Sequence, residues 1–263
     1  MKLNIMTFNL RNSRADDGAH AWPFRVKRVA ETIRAYEPHI FGIQEGYLDM
    51  LEELQPLLSD YAWLGEGRDG GTEGEYCAIF YRKQEMEIVE QGQFWLSETP
   101  ERKGSMGWDG ACPRICTWAH FRLVREPGRE IFVFNTHLDH VGQQAREQGA
   151  LLIRQAMQRQ AAGRPAVLMG DFNAAPDNSA VRFWSGEAEI GGERASMTDA
   201  YSALEGPPGR TYHDFRGGVD GEPIDYIFAS EELKVTEVRV DRRTVDGGFP
   251  SDHYPVVAGI AID

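Results

Sequence analysis

The chain has 263 residues, 41% of them hydrophobic and 11% aromatic, enough to bury a large core; with no Ser/Gly-rich or Pro-rich linker and no repeat to divide it, residues 1–263 read as one domain. A formal net charge of −13 opposes the electrostatic capture on which nucleic-acid binding relies, so long nucleic acid is disfavoured as a partner, although a cation and one or two arginines can offset carboxylates within a small site. No apolar run reaches signal-peptide or membrane-spanning length, so a cytoplasmic protein with no membrane partner is expected.

In chain order, Leu3–Asn9 reads as a strand. Val26, Val29, Ala30 and Ile33 follow helical spacing after Pro23, and Pro38 closes this short amphipathic helix. Strands follow at Ile40–Gln44, Tyr76–Arg82 and Glu87–Trp95, with the Gly-rich stretch Gly65–Gly74 as a surface loop. After strands Ile115–Val124 and Ile131–Thr136, a second helix is carried by Ala145, Gly149, Leu152, Ile153, Ala156 and Met157 and ends near Gly163-Arg164-Pro165. The run Ala166-Val167-Leu168-Met169 is too short for a helix and predicts a buried strand over Val167–Gly170. Asp225–Ala229, Val235–Val240 and Val256–Ile260 complete the strands, and so many strands with so few helices predict two packed sheets flanked by helices. Cys77, Cys112 and Cys116 are odd in number and lie in or near apolar strand sequence, which predicts buried free thiols.

Several strands end in polar residues that core packing does not explain: Asn9, Glu45, Asn135 with His137, and Asp171. Open α/β folds place their chemistry at such strand ends. Taken singly, each has a bland alternative. Asn9 suits a strand-end turn, Glu45 a helix start, Asp171 and Asn173 an Asx turn leading to Pro176, Asp225 a turn after Pro223, and His253 a bonded core or surface histidine. The alternatives weaken jointly, because two carboxylates roughly 4 Å apart at an effective dielectric near 20 cost about 4 kcal/mol, which a cation or protonation must relieve.

The order of the strings ending in Asn9 and Glu45, then Asn135-Thr136-His137, Gly170-Asp171-Phe172-Asn173, Ile224-Asp225-Tyr226 and Ser251-Asp252-His253, resembles the endonuclease/exonuclease/phosphatase superfamily across nearly the whole chain. Gly74–Arg82 and Asn135–Leu138 look closest to its deadenylase and nocturnin-like branch, and Trp108-Asp109 with Arg114–Trp118 resembles small bacterial members of that branch. The resemblance implies a four-layer α/β/β/α sandwich, with two packed mixed β-sheets flanked by helices, and divalent-metal hydrolysis of a phosphoester. Glu45 and Asp252 would hold Mg²⁺ or Mn²⁺, Ca²⁺ also suiting these oxygens, with Asn9 contributing directly or through water. His253, oriented by Asp225, would be a general base or a stabilising imidazolium, while Asp171 and Asn173 would position the attacking water and the phosphate. His137 would bond a phosphate oxygen or protonate the leaving group, Arg114 would clamp phosphate, and Asn135 would contact substrate. Trp108 and Trp22 are candidates for an aromatic wall against sugar or base, with core packing as the alternative; Tyr81 is read as core, and Asp139 and His140 lie nearby without an assigned role.

The acidic surface favours a small-molecule phosphoester substrate such as a sugar phosphate, nucleotide or polar headgroup. A deadenylase-like or DNA-directed nuclease would need a basic track that no Lys/Arg run supplies. A lipid-headgroup esterase lacks an interfacial helix, and a silent binding module is opposed by the retention of every expected polar position. The loops Asn12–Trp22, Gly65–Gly74, Thr99–Pro113 and Gly186–Ala195, where such a scaffold sets specificity, carry no ligand code readable from sequence.

Overall fold

The computed structural model describes residues 1–262. Two six-stranded sheets pack face to face. The first is built from β1 (Lys2–Asn9), β2 (Ile40–Gln44), β3 (Tyr61–Leu64), β4 (Ile79–Arg82), β11 (Leu233–Val240) and β12 (Val256–Ile262), in the order β11-β12-β1-β2-β4-β3. The second is built from β5 (Met86–Trp95), β6 (Ile115–Leu123), β7 (Glu130–His137), β8 (Ala166–Asp171), β9 (Met197–Asp199) and β10 (Asp225–Ser230), in the order β5-β6-β7-β8-β10-β9. Each sheet has one parallel pair at its centre, β1 with β2 and β7 with β8, and antiparallel neighbours elsewhere. The helices are α1 (Val26–Tyr36), α2 (Leu48–Leu54), α3 (Gln143–Gln160) and the single turn α4 (Ser179–Arg182). This is the mixed two-sheet sandwich implied by the sequence.

α1 buries Val29, Ala30, Thr32 and Ile33, the stripe its spacing predicts, and ends where Glu37 turns left-handed before Pro38. Its apolar face joins Phe8, Phe41 and Phe80 in a core outside the first sheet, where the last two rings stack 4.6 Å apart. A larger core fills the space between the sheets and reaches under α3. Gly42 sets the closeness of the sheets: a Cβ there would come within 2.6 Å of the Asn135 side chain and 2.8 Å of Met169 Cε, so only glycine fits.

Four elements escaped the sequence reading, the single turn α4 among them. β3 and β9 are only four and three residues long, too short to show a period, and α2 packs a single buried stripe of Met50, Leu51 and Leu54. The predicted strand Tyr76–Arg82 is shorter than expected because Tyr76 leaves the sheet to bridge Gly46 and Gly67. Trp22 is core, 3% exposed, with its indole N–H donating to Glu53, and Tyr81 packs on Phe121 at the opposite end of β2 from Glu45; neither forms a wall of the cleft. Cys77 and Cys116 are buried as expected, and burial drives both thiols upward, Cys77 to about 12. Cys112 departs from the expectation: it is half-buried on a loop and lines the cleft described next. Among the described residues, no helix is long and apolar enough to cross a membrane.

Candidate active site

Strand register builds the site. Across the second sheet His137 pairs with Asp171 and Asp171 with Asp225, so three neighbouring strands present an imidazole and two carboxylates in one row. Across the first sheet Asn9 pairs with Gln44, which places Asn9 beside Glu45 at the same mouth of the sandwich. Asp252 and His253 enter on the segment before β12. These side chains converge on a cleft of about 410 Å³.

Asn9 joins the two rows. Its Nδ2 donates to Glu45 Oε1 at 3.0 Å and to Asp171 Oδ2 at 2.9 Å, while its Oδ1 accepts from the Arg11 amide. Asn9 thus holds two carboxylates in place; the sequence expectation was that it contributes to a metal directly or through water. Glu45 Oε2 accepts from the Asn12 amide and side chain. Burial works against the Glu45 carboxylate, but the bonds from Asn9 and Asn12 and the charge of His253 keep it below its ordinary range. Burial raises Asp252, and neighbouring Glu45 adds to the rise against the opposing pull of His253 and Arg11. The half-buried Glu45 and the buried Asp252, with Asp252 Oδ2 lacking a hydrogen-bond donor and only Arg11 Nε at 3.7 Å, form an oxygen donor set that suits a hard divalent cation.

His253 Nδ1 lies 2.9 Å from Asp225 Oδ2, and its Nε2 lies 3.8 Å from Asp171 Oδ2. Burial opposes charge on this imidazole, yet the charge and hydrogen bond of Asp225, with Asp171 and Asp252 beyond, raise it to about 10. Asp171 is raised to about 7 by burial and by Asp225, despite His253 and the bonds from Asn173 and Asn9. The three groups offer ligand atoms within 4.8 Å of one another, and Asp225 Oδ1 is buried without a partner.

Asn173 makes the Asx turn that was the bland alternative, its amide donating to Asp171 Oδ1 at 2.8 Å, and it also reaches into the site. At φ 47° its side chain lies 2.8 Å from His137 Nε2 and donates to the Leu138 carbonyl at 3.0 Å. Burial, then Arg114, hold His137 far below its ordinary value, so it stands neutral with Nε2 engaged. A neutral, engaged imidazole suits orientation of Asn173 better than the leaving-group protonation expected of it. Arg114 lines the cleft at 6% exposure, with Nη2 3.0 Å from His140 Nδ1 and a buried Nε without a partner 3.5 Å from Asp139.

Two sequence expectations are corrected. Asn135 is fully buried between the sheets, donating to the carbonyls of Ile43 and Ala78 and accepting from Gln44, so no atom of its amide is free for substrate. Trp108 is absent from the cleft lining; its segment serves α3, whose first amides donate to Asp109. Tyr212, which the sequence did not single out, supplies the aromatic surface, 45% exposed with its ring 5.1 Å from His253. Arg11, Asn12, Arg68 and Glu75 also line the cleft and sit in loops without periodicity to betray them. Arg25, wholly buried, donates to the carbonyls of Leu10, Arg11, His20 and Pro250, tying the loop after β1 to the segment carrying Asp252.

Two sheets with an acid, amide and histidine cluster at their shared mouth define the deoxyribonuclease-like class of α/β sandwich. The chain belongs to the endonuclease/exonuclease/phosphatase family, whose model matches residues 6–253 and whose members are typically hydrolases of phosphoesters. Among solved structures it is similar to the endonuclease/exonuclease/phosphatase of Bacteroides vulgatus, at 35% identity over 100% of both chains with a TM-score of 0.92. It is similar also to a mannosyl-6-phosphatase of Bacteroides thetaiotaomicron, at 33% identity over 99% of this chain and 100% of that one with a TM-score of 0.90. The catalytic domain of human nocturnin shares the fold, at 21% identity, 100% and 95% coverage and a TM-score of 0.76. No curated protein matches the chain.

Proposed function

We propose that the protein hydrolyses the phosphoester of a small molecule, a sugar phosphate, nucleotide or polar headgroup, by in-line attack of water. The observation that carries this reading is the convergence of Glu45 with Asp252, His253 with Asp225, Asp171 and Arg114 on one polar cleft. The family supports hydrolysis, and the mannosyl-6-phosphatase of Bacteroides thetaiotaomicron at 33% identity favours a small sugar phosphate.

Glu45 and Asp252 would hold Mg²⁺ or Mn²⁺, which when bound polarises a phosphate oxygen and offsets developing charge. Asp225 holds the His253 ring so that Nε2 faces Asp171 and the cleft; with three carboxylates around one imidazole, His253 serves as a cation that stabilises the pentacoordinate phosphate. Asp171 lies beside it to accept the proton of the attacking water, fixed by Asn9 and the Asn173 amide. Arg114 takes two phosphate oxygens through its fork, steadied by His140.

Mg²⁺- and Mn²⁺-dependent hydrolysis of nitrophenyl phosphate, bis-nitrophenyl phosphate, hexose phosphates, nucleotides and a single-stranded oligonucleotide tests this reading. Turnover of small esters that a chelator abolishes supports it. Cleavage of the oligonucleotide alone overturns it in favour of a nuclease.

A further inference from the structure

We propose that the Arg68–Glu75 ion pair is a hydroxyl-reading subsite, and that the substrate is a phosphate ester of a polyol in preference to an aryl, alkyl or lipid ester. This rests on the phosphoester reading above. The pair comes from the Gly-rich loop that had no ligand code in sequence.

The loop is a tight hairpin. The Gly67 amide donates to the Gly71 carbonyl, Arg68 to Glu75, Asp69 to Glu73 and Tyr76 to Gly46, while the Trp95 indole holds the Arg68 carbonyl. A Cβ at Gly67 would stand 2.0 Å from the Glu73 carbonyl oxygen, so glycine permits the closure. Two side chains are thereby fixed before any ligand arrives.

Arg68 Nη1 donates to Glu75 Oε2 at 2.6 Å, and the side chains are only 19% and 13% exposed. They share the cleft wall with Arg114 and His137. Arg68 Nε and Nη2 and Glu75 Oε1 make no other hydrogen bond among the described residues, so the pair shows the cleft both donors and an acceptor. Burial pushes Glu75 above the ordinary carboxylate range, more than Arg68 offsets, so a hydroxyl donating to it would replace lost solvation.

The sign of the pair decides its ligand class. A lone arginine would suit a second phosphate and a lone carboxylate an amine. A neutral pair with spare donors and a spare acceptor matches a group that both gives and takes hydrogen bonds without charge, which is a hydroxyl. Apart from Tyr212, Ile224 and Cys112 the rest of the wall is polar, which gives a lipid chain little apolar surface to occupy.

The experiment compares kcat/KM for a hexose 6-phosphate and for 4-nitrophenyl phosphate, with Mg²⁺, in the wild type, Glu75→Gln and Arg68→Lys. The wild type is expected to prefer the hexose ester, and each substitution to lower the hexose-to-nitrophenyl ratio about tenfold or more, mainly through KM, the scale of one charge-assisted hydrogen bond. A thermal melt verifies folding, and Arg68→Lys keeps the charge should Glu75→Gln unfold. Equal losses on both esters would assign the pair to metal holding or structure and overturn the subsite, as would an unchanged ratio. A wild type that cleaves nitrophenyl phosphate but no hexose phosphate overturns the subsite and leaves the phosphoesterase reading standing; silence on both overturns the subsite, and the wider ester panel above then decides the phosphoesterase reading.

Discussion

Asn135→Ala separates stability from chemistry at a residue whose sequence context pointed to substrate. The truncation removes donors from the carbonyls of Ile43 and Ala78 and an acceptor from Gln44 Nε2, and it opens a void against Gly42. Ala78 O keeps the Ile43 amide and Gln44 Nε2 keeps the Thr7 hydroxyl, so those losses are single net hydrogen bonds of about 1 kcal/mol each. The lost bond to Ile43 O and the void raise the total to about 3–5 kcal/mol. At about 2–4 °C per kcal/mol for a domain of this size, the melting temperature should fall by roughly 6–20 °C. Urea unfolding and a thermal scan measure this, with kcat/KM taken well below the melting transition. Wild-type stability combined with a hundredfold loss of kcat/KM would refute the structural role and return Asn135 to the substrate.

His253→Ala should lower kcat by about 10²-fold or more with the melting temperature little changed, read by steady-state kinetics of the metal-loaded protein; near-normal turnover removes its assigned role. Arg114→Ala should lower kcat/KM by about 10-fold or more through KM, since a charge-assisted bond to phosphate is worth about 1.5–3 kcal/mol; an unchanged KM contradicts the clamp. Asp199, whose carboxylate accepts from the Tyr201 amide, is raised by burial to about 6. Its charge therefore destabilises the fold above that pH and ceases to matter below about pH 4, where both folded and unfolded states bind the proton. Asp199→Asn keeps the cap and should add about 1–3 kcal/mol at pH 8 and almost nothing at pH 4 in denaturant titrations; destabilisation at pH 8 would contradict this sign.

The comparison of Asn135 with His137 shows why part of the site was legible and part was not. Two residues apart on one strand, they face the same way, toward the first sheet, but Asn135 lies roughly 7 Å deeper. Alternation encodes the face and is silent on depth, so both looked like site residues and only one is. Glu45 and Asp171 were readable because unexplained polarity at the end of an apolar run is rare, whereas Asp225 and Asp252 were legible through the family resemblance. Arg68 and Glu75 were not, because a hairpin of glycines hides which side chains it aims inward. Arg25 was hidden within a helical start, where nothing local signals four carbonyl partners. Trp108 misled because bulk near a site says nothing of direction.

β12 is last in chain order yet pairs with β1 on one side and β11 on the other. During synthesis β1 must therefore wait, one edge bare, until β12 has left the ribosome. Asp252 and His253 arrive just before β12, so a nascent chain can assemble the second sheet and its row of His137, Asp171 and Asp225 while the proposed metal-holding Asp252 is still missing. The long-delayed pairing makes slow folding and transient aggregation of the unpaired edge the hazard this topology carries.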